Sequence, residues 1–409
     1  MITRQCVILV GGEGTRLGSL TKRWPKPLLP VDGTPFLETL LLEARRRGFD
    51  DLVLLAGYRA EEVSRYLEQS QIAAKLGVLV RVSFEASPMG TAGALAHAAP
   101  LLAESFLLLN GDTWFDFNWL DFVCRAENTD RAAAMAVRQI ECPDRYETIT
   151  VVDDRVVAVR QREIGSDFGL INGGVYWFRK DTIRSLSIPA SLETQLLPLL
   201  SSRGELGGYR YEGFFLDIGI PETYEAAQHL VPRQRRRPAV FLDRGGVLNE
   251  DAGYNYKTED LRWISGAKAA IKLLNDAGFY VFVVTNQSGI GHGYFTSRDF
   301  ESLKQSMENE LREAAAAIDD WRYCPYHPEA ALEQFRKSHS WRKPRPGMLL
   351  DILEHWPVNV ERSFLVGDKS SEIEAARGAG IVGYRFRGGD LAGFVKQQIR
   401  ARTLGPDVN

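Results

Sequence analysis

Cysteine is scarce in this chain. Cys6, Cys124, Cys142 and Cys324 are the four among 409 residues, scattered with no paired spacing. That pattern gives no disulfide framework and makes a reduced, cytoplasmic setting the expectation. Long apolar runs are missing as well. None reaches the ~18 residues of a membrane span, and the first residues enter a strand without a basic-then-apolar leader, so neither a membrane helix nor a secretory signal is expected. Charge of one sign is missing too: 50 Lys and Arg against 53 Asp and Glu leave a net charge of −3, which argues against a nucleic-acid or membrane-surface partner. There is no internal repeat and no low-complexity tract. What remains is an ordinary globular composition, 44% apolar and 25% charged, in a chain long enough for two or three domains.

The richest stretch lies near the start. Cys6 to Val10 is an unbroken apolar run, the pattern of a strand buried on both faces of a parallel sheet. It ends in Gly11, Gly12 and Gly14, followed by Thr15 and Arg16, then Pro25-Lys26-Pro27. A strand feeding a glycine-rich turn aims backbone N–H groups at phosphate. Arg16 and Lys26 add the cations that glycine lacks. The spacing fits neither a Walker loop nor the dinucleotide-binding fingerprint.

Gly11-Gly12-x-Gly14-Thr15-Arg16-Leu17 followed by Pro25-Lys26-Pro27-Leu28-Leu29-Pro30-Val31 resembles the signature of the sugar-1-phosphate nucleotidyltransferases. Those enzymes join a nucleoside triphosphate to a sugar 1-phosphate and release pyrophosphate. The resemblance implies that Arg16 and Lys26 are catalytic and that Gly11, Gly12, Gly14 and Thr15 bind the nucleotide.

Strand-like and helix-like runs alternate after it, as in an α/β domain with a mixed, mainly parallel sheet. Helices are expected at Phe36–Arg47 and Ala60–Glu68, and strands at Asp51–Leu55 and Val78–Phe84. Ser87 to Leu95 is a glycine-bearing turn opening a small-residue helix; the resemblance makes Gly90 and Thr91 part of the nucleotide pocket. Phe106 to Asp112 is an apolar strand ending in an acid, at the sheet edge where α/β proteins bind ligands. Asp217 stands in a similar apolar setting. Both fit the family's metal-binding motifs, so Asp112 and Asp217 are expected to share Mg²⁺. A hairpin is expected over Tyr146 to Arg162, turning at Asp153-Asp154. Its end reads Gln161-Arg162 where the family has Glu-Lys, so Arg162 is the expected grip on the acceptor phosphate. Asn172, Gly173 and Glu193 match the sugar-recognition stretches.

Val231 to Pro238 is basic and bracketed by prolines, and is expected to be a solvated connector at 232–238 between domains 1–231 and 239–409. Beyond it, four features follow in order: Asp243 after an apolar strand, Thr285-Asn286 after another, Arg342-Lys343-Pro344, and Gly367-Asp368. The set resembles the haloacid dehalogenase superfamily, closest to heptose bisphosphate and histidinol phosphate phosphatases, and implies a three-layer α/β domain. It would make Asp243 the nucleophile, Thr285 and Lys343 the holders of the phosphoryl oxygens, Asn286 and Arg342 sugar-phosphate contacts, and Asp243 with Asp368 a second Mg²⁺ site. Two departures stand out. Active members read Asp-x-Asp-Gly, whereas this chain reads Asp243-Arg244-Gly245-Gly246, lacking the acid that exchanges protons with leaving group and water; Glu250 is a nearby candidate substitute. A zinc loop is eroded to Cys324, Tyr326, His339 and Trp341, with His327 nearby, so no zinc is expected.

Asn110 to Asp116 resembles the heptose-1-phosphate guanylyltransferase branch. The expectation is therefore a two-domain α/β enzyme that transfers a nucleotidyl group, GTP favoured, to a sugar 1-phosphate. The phosphatase-like domain would supply the acceptor for cell-surface glycan synthesis if active. The alternatives are another hexose 1-phosphate as acceptor and a second domain that only senses or assembles. A homo-oligomer is left open.

Overall fold

The computed structural model describes residues 2–141, 146–160, 168–184, 186–251 and 253–403. Cys142, Gln161 and Arg162 lie outside the described residues. The chain divides into two compact units, meeting between Gln234 and Arg235.

In the first unit nine strands form one sheet. Their order is Leu79–Phe84, Asp51–Ala56, Gln5–Leu9, Ser105–Asn110, Phe168–Arg179, Ala133–Glu141, Leu206–Arg210, Arg155–Arg160 and Thr148–Val152. Cys6, Val7 and Ile8 are fully buried, as a central strand covered on both faces requires. The expectation of a mainly parallel sheet is corrected. Of the eight neighbouring pairs four are parallel and four antiparallel. Three of the parallel pairs gather around Gln5–Leu9, where helices make the crossovers, and the fourth joins Leu206–Arg210 to Ala133–Glu141. Beyond Asn110 the chain returns partly through hairpins. One of these turns at Asp153 and Asp154, both at positive φ (48° and 57°), the geometry of a tight two-residue hairpin.

The second unit is a five-stranded parallel sheet ordered Asp320–Cys324, Tyr280–Asn286, Ala239–Leu242, Phe364–Gly367 and Val382–Arg385. Alternate residues of its central strands face opposite cores. Val240, Leu242, Val281 and Val283 pack with Ile271, Phe300, Met307 and Val395 from helices on one side. Phe241, Phe282, Val284 and Leu365 pack with Leu349, Ile352 and Ala376 on the other.

The stretch 232–238 is not the irregular, solvated connector its composition suggests. The helix Pro221–Arg235 runs into it with Pro232 inside. Arg237 is buried, its guanidinium 5.7 Å from the Tyr280 ring centroid, and its backbone is bridged to Val358. A flat, weakly hydrated guanidinium can be buried against an aromatic face in a way that a basic run in sequence does not reveal.

Candidate functional site

The parallel half of the first sheet delivers a crevice. Gln5–Leu9, Asp51–Ala56 and Ser105–Asn110 end at the same edge, the usual ligand side of such sheets. Their loops approach closely: a Cβ on Gly111 would lie 2.0 Å from the Leu9 carbonyl oxygen, so no side chain fits there. Three adjoining cavities follow the edge. The first, 370 Å³, is walled by Leu9, Gly11, Gly12, Tyr58, Gly90 and Thr91. The second, 170 Å³, shares Leu9, Gly12 and Thr91 with it and adds Lys26, Asn110, Asp112 and Glu193. The third, 570 Å³, shares Asn110, Asp112 and Glu193 with the second, but not Lys26, and adds Arg16, Asn172 and Asp217. Shared walls make them one continuous cleft.

The two acids meet at its middle. Strands Thr113–Asp116 and Phe214–Asp217 pair antiparallel and set Asp217 opposite Thr113. Burial, and then the Asp112 charge, push the Asp217 carboxyl up; the Gly219 N–H at 2.6 Å, Lys26 and Arg16 pull it back. A carboxyl pushed up by burial and by a neighbouring acid beside a cavity fits a divalent cation. Lys26 Nζ donates to Asp112 Oδ2 at 2.5 Å. Asn110 Oδ1, on the shared wall, is buried with no hydrogen-bond partner, a vacant acceptor at the cleft.

Glu193, which in sequence could be a surface helix acid, is pinned inward. Thr91 Oγ1 donates to Glu193 Oε2 at 3.0 Å and Ser191 Oγ at 3.2 Å. The loops carrying them are tied by the Ala190 carbonyl, which accepts from the Ala92 and Gly93 N–H groups. Gly90 permits this approach: its φ is +75° and a Cβ would lie 2.3 Å from that carbonyl oxygen. Asn172 is held by the Gly174 N–H and donates to Tyr176.

Ten of the expected residues of this domain thus come together: Gly11, Gly12, Arg16, Lys26, Gly90, Thr91, Asp112, Asn172, Glu193 and Asp217. Gly14, Thr15 and Gly173 do not wall the cleft. Gly14 and Thr15 start the short helix Thr15–Lys22, and Gly173 packs under Phe115, leaving Gly174 as the lining residue. Tyr146, Glu147 and Phe215 also line it. Only Phe215 carried a sequence signal, its place beside Asp217 on an apolar strand.

The second site sits at the same kind of edge, over a cavity of 590 Å³. Asp243 follows Ala239–Leu242, and Thr285 and Asn286 close Tyr280–Asn286. Lys343 Nζ donates to Asp243 Oδ1 at 2.6 Å and to the Val284 carbonyl at 3.0 Å. Asn286 clasps the Lys343 backbone by both its N–H and C=O, at 3.1 and 3.2 Å. Burial pushes the Asp368 carboxyl up, and Asp243 adds to this against the pull of Lys369. Asp368 Oδ1 is buried with no hydrogen-bond partner. An orphaned carboxylate oxygen facing a second carboxylate again fits a cation. Arg342 lines the cavity, and burial pushes its guanidinium down.

Sequence reasoning missed Glu372, Asp251 and Lys369. Glu372 is 3% exposed and pairs with Lys343 at 3.3 Å. Asp251 lines the cavity and accepts from Lys369 Nζ at 2.9 Å. Glu250, the expected substitute acid, is exposed and does not line it. At the eroded zinc positions Tyr326 stacks on His339, centroids 4.4 Å apart, and Trp341 meets the same ring edge-on. Among the described residues no group of three or more His, Cys, Asp or Glu gathers to hold a metal.

Known proteins share both halves. Residues 5–233, more than half the chain, match the family described as nucleotidyl transferase, and residues 244–382 match polynucleotide kinase 3 phosphatase. Over 162 residues the chain is 51% identical to D-glycero-beta-D-manno-heptose-1,7-bisphosphate 7-phosphatase of Rhodopseudomonas palustris, covering 40% of this chain and 90% of that protein. Over 221 residues it is 29% identical to D-glycero-alpha-D-manno-heptose 1-phosphate guanylyltransferase of Campylobacter jejuni, covering 54% and 96%. A crystal structure of HddC from Yersinia pseudotuberculosis, complexed with GMP-PN, is similar with a TM-score of 0.50 and 27% identity over 56% of this chain and 100% of that one. The chain therefore belongs to the nucleotidyl transferase family and, in the same polypeptide, to the heptose-1,7-bisphosphate 7-phosphatases.

Proposed function

We propose that the chain makes a guanylyl-activated heptose in two consecutive steps. The second site removes the 7-phosphate of D-glycero-D-manno-heptose 1,7-bisphosphate. The first then transfers GMP from GTP to the resulting 1-phosphate and releases pyrophosphate. The observation that carries the reading is the continuous cleft, with the glycine loop at one end, two acids with Lys26 in the middle, and Asn172 with Glu193 at the other. A base, a triphosphate and a sugar phosphate need these in that order. The guanylyltransferase relative and the GMP-PN complex support the nucleobase.

In nucleotidyl transfer an oxygen of the sugar phosphate attacks the α-phosphorus. The bond from that phosphorus to the β-bridging oxygen breaks, and pyrophosphate leaves with the electron pair. The attacking oxygen is already anionic, so no general base is needed; positioning and charge neutralisation do most of the catalysis. Lys26 and Arg16 face the triphosphate, while Asn172 and Glu193 hold the sugar. At the second site Asp243 attacks phosphorus, with Thr285 and Lys343 on the phosphoryl oxygens. Asp112 with Asp217, and Asp243 with Asp368, would hold Mg²⁺, which neutralises and orients phosphate oxygens when bound.

The names of the relatives differ at the anomeric carbon, beta for the phosphatase and alpha for the guanylyltransferase. One polypeptide running both steps needs a single anomer, and transfer to the alpha 1-phosphate requires the second site to accept the alpha bisphosphate. No helix among the described residues is long and apolar enough to cross a membrane. GTP as donor suits the cytoplasm, with the product passed to surface-glycan assembly.

The test supplies GTP, Mg²⁺ and each anomer of the bisphosphate, and follows inorganic phosphate and pyrophosphate separately. Both products from the alpha anomer are expected. Pyrophosphate from the 1-phosphate but no phosphate from either bisphosphate would leave a transferase carrying a silent second unit.

A further inference from the structure

Breaking a phosphate ester of a sugar leaves an alkoxide, a poor leaving group that needs a proton as it departs. The water that later frees Asp243 must lose one. The cavity around Asp243 has three carboxyls in its wall: Asp243, Glu372 and Asp251. Asp243 is the nucleophile and pairs with Lys343. Glu372 is buried, paired with Lys343, and accepts the Lys369 backbone N–H at 2.7 Å. Asp251 is the carboxyl left, and its side chain is 35% exposed.

Its position relative to Gly245 is specific. Gly245 has no positive φ, and the three atoms nearest an ideal Cβ there all belong to Asp251, with Cγ at 3.5 Å and Oδ1 at 3.6 Å. Glycine is therefore not demanded by the backbone at 245. The space a side chain would enter is bordered by the carboxyl of Asp251. A tight turn brings the two together: Gly246 N–H donates to the Asn249 carbonyl at 2.7 Å, and Gly245 is bridged to Asn249. The Asp251 carboxyl is then oriented on both oxygens, by the Gly253 N–H at 3.3 Å and Lys369 Nζ at 2.9 Å.

We infer that Asp251 is the proton-transfer carboxylate of the second site, taking over from Gly245's place in the sequence the role that an acid there would have. The inference rests on the phosphatase reading of this site. As the Asp243 oxygen bonds to phosphorus, the bond from phosphorus to the sugar oxygen breaks. Its electron pair stays on that oxygen, which takes the proton of Asp251. The Asp251 carboxylate then takes a proton from water, whose oxygen attacks phosphorus. The bond to Asp243 breaks, phosphate departs, and both aspartates are restored. Burial pushes the Asp251 carboxyl up, and the Lys369 ammonium overcomes this to hold it below the usual range. Anionic phosphate oxygens entering the cavity compete for that ammonium and raise the proton affinity of the carboxyl, the direction the first transfer needs.

The experiment measures phosphate release by the full-length chain from heptose 1,7-bisphosphate, and the burst of p-nitrophenol from p-nitrophenyl phosphate, whose leaving group needs no proton. The variants are Asp251→Asn, Gly245→Asp and the two together. Asp251→Asn is expected to lower kcat/KM on the bisphosphate by ~10²-fold or more while sparing the p-nitrophenol burst, and Gly245→Asp in that background is expected to restore part of the loss. Pyrophosphate release from heptose 1-phosphate, which depends on the other unit, should be unchanged in all three. Unaltered phosphate release from the bisphosphate in Asp251→Asn, or equal loss on both substrates, overturns the assignment while leaving the phosphatase reading intact. Absence of phosphate release from either substrate in the unmodified chain overturns the phosphatase reading and this assignment with it.

Discussion

Lys26 is 9% exposed and sits 2.5 Å from Asp112, yet the Asp112 side chain keeps 26% of its surface in solvent. Removing the cation therefore leaves a carboxylate that water can still reach, and the stability cost is small. In the proposed reading Lys26 lies beside the triphosphate, and loss of its charge there is not compensated, because transfer depends on fixed charges that meet the developing negative charge. Lys26→Ala should lower pyrophosphate release by ~10²-fold or more with little change in Tm, measured by a coupled pyrophosphate assay and by calorimetry on one preparation. A Tm that falls in step with activity would make Lys26 structural. Gly90 is the contrasting residue. At φ +75° and with a Cβ 2.3 Å from the Ala190 carbonyl oxygen, Gly90→Ala must push apart the loops that bring Thr91 to Glu193. It should destabilise by about 1–3 kcal/mol and raise KM for nucleotide and sugar phosphate together, seen in initial-rate kinetics with each substrate varied.

At the scale of elements, the helix Ser297–Glu313 shows how a short pattern sets a boundary. Thr296 N–H and Oγ1 both donate to Asp299 Oδ2 at 2.8 Å, and Asp299 N–H returns to Thr296 Oγ1 at 3.2 Å. These bonds hold the Asp299 carboxyl below its usual range. A depressed folded-state pKa means that the contribution is full at neutral pH and is lost as pH falls through that depressed value. Asp299→Ala should therefore lower the melting temperature of the second unit at neutral pH, and the difference should shrink on acidification, followed by calorimetry of the full chain across pH. The elements readable in sequence share this local character. Apolar strands such as Gln5–Leu9 and Ala239–Leu242 end abruptly in glycine or acid, and both sites grow from those ends. What escaped depends on non-local folding. Glu250 and Asp251 are indistinguishable neighbours in sequence, and which of them lines the cavity follows from the Gly246–Asn249 turn together with bonds to Arg262, Gly253 and Lys369. Glu372 reads as an acid in the first turn of a helix, which it is, while its other oxygen pairs with Lys343 from a distant loop. Apart from the hairpin at Asp153-Asp154, the antiparallel pairing of the first sheet was hidden because it is settled across the sheet, between strands such as Ala133–Glu141 and Phe168–Arg179, rather than within either strand.

For the whole molecule, among the described residues the walls of each cavity come from one unit: residues between Gly11 and Asp217 wall one cleft, and residues between Asp243 and Glu372 wall the other. Among the described residues no lining residue is common to the two sites, so the two proposed steps are linked through the intermediate. That has a kinetic consequence. Starting from the bisphosphate, pyrophosphate release should show a lag while heptose 1-phosphate accumulates, and starting from heptose 1-phosphate it should show none. Asp243→Asn removes the proposed nucleophile of the first step while Lys343 keeps its partner Glu372. It should abolish pyrophosphate release from the bisphosphate and leave release from the 1-phosphate at the unmodified rate. Mixing that variant with Lys26→Ala should restore the full sequence from the bisphosphate, with a lag that lengthens on dilution, because the intermediate then passes between molecules. Failure of the mixture to turn over, when each variant retains its own half-reaction, would show that the intermediate is handed over within one chain.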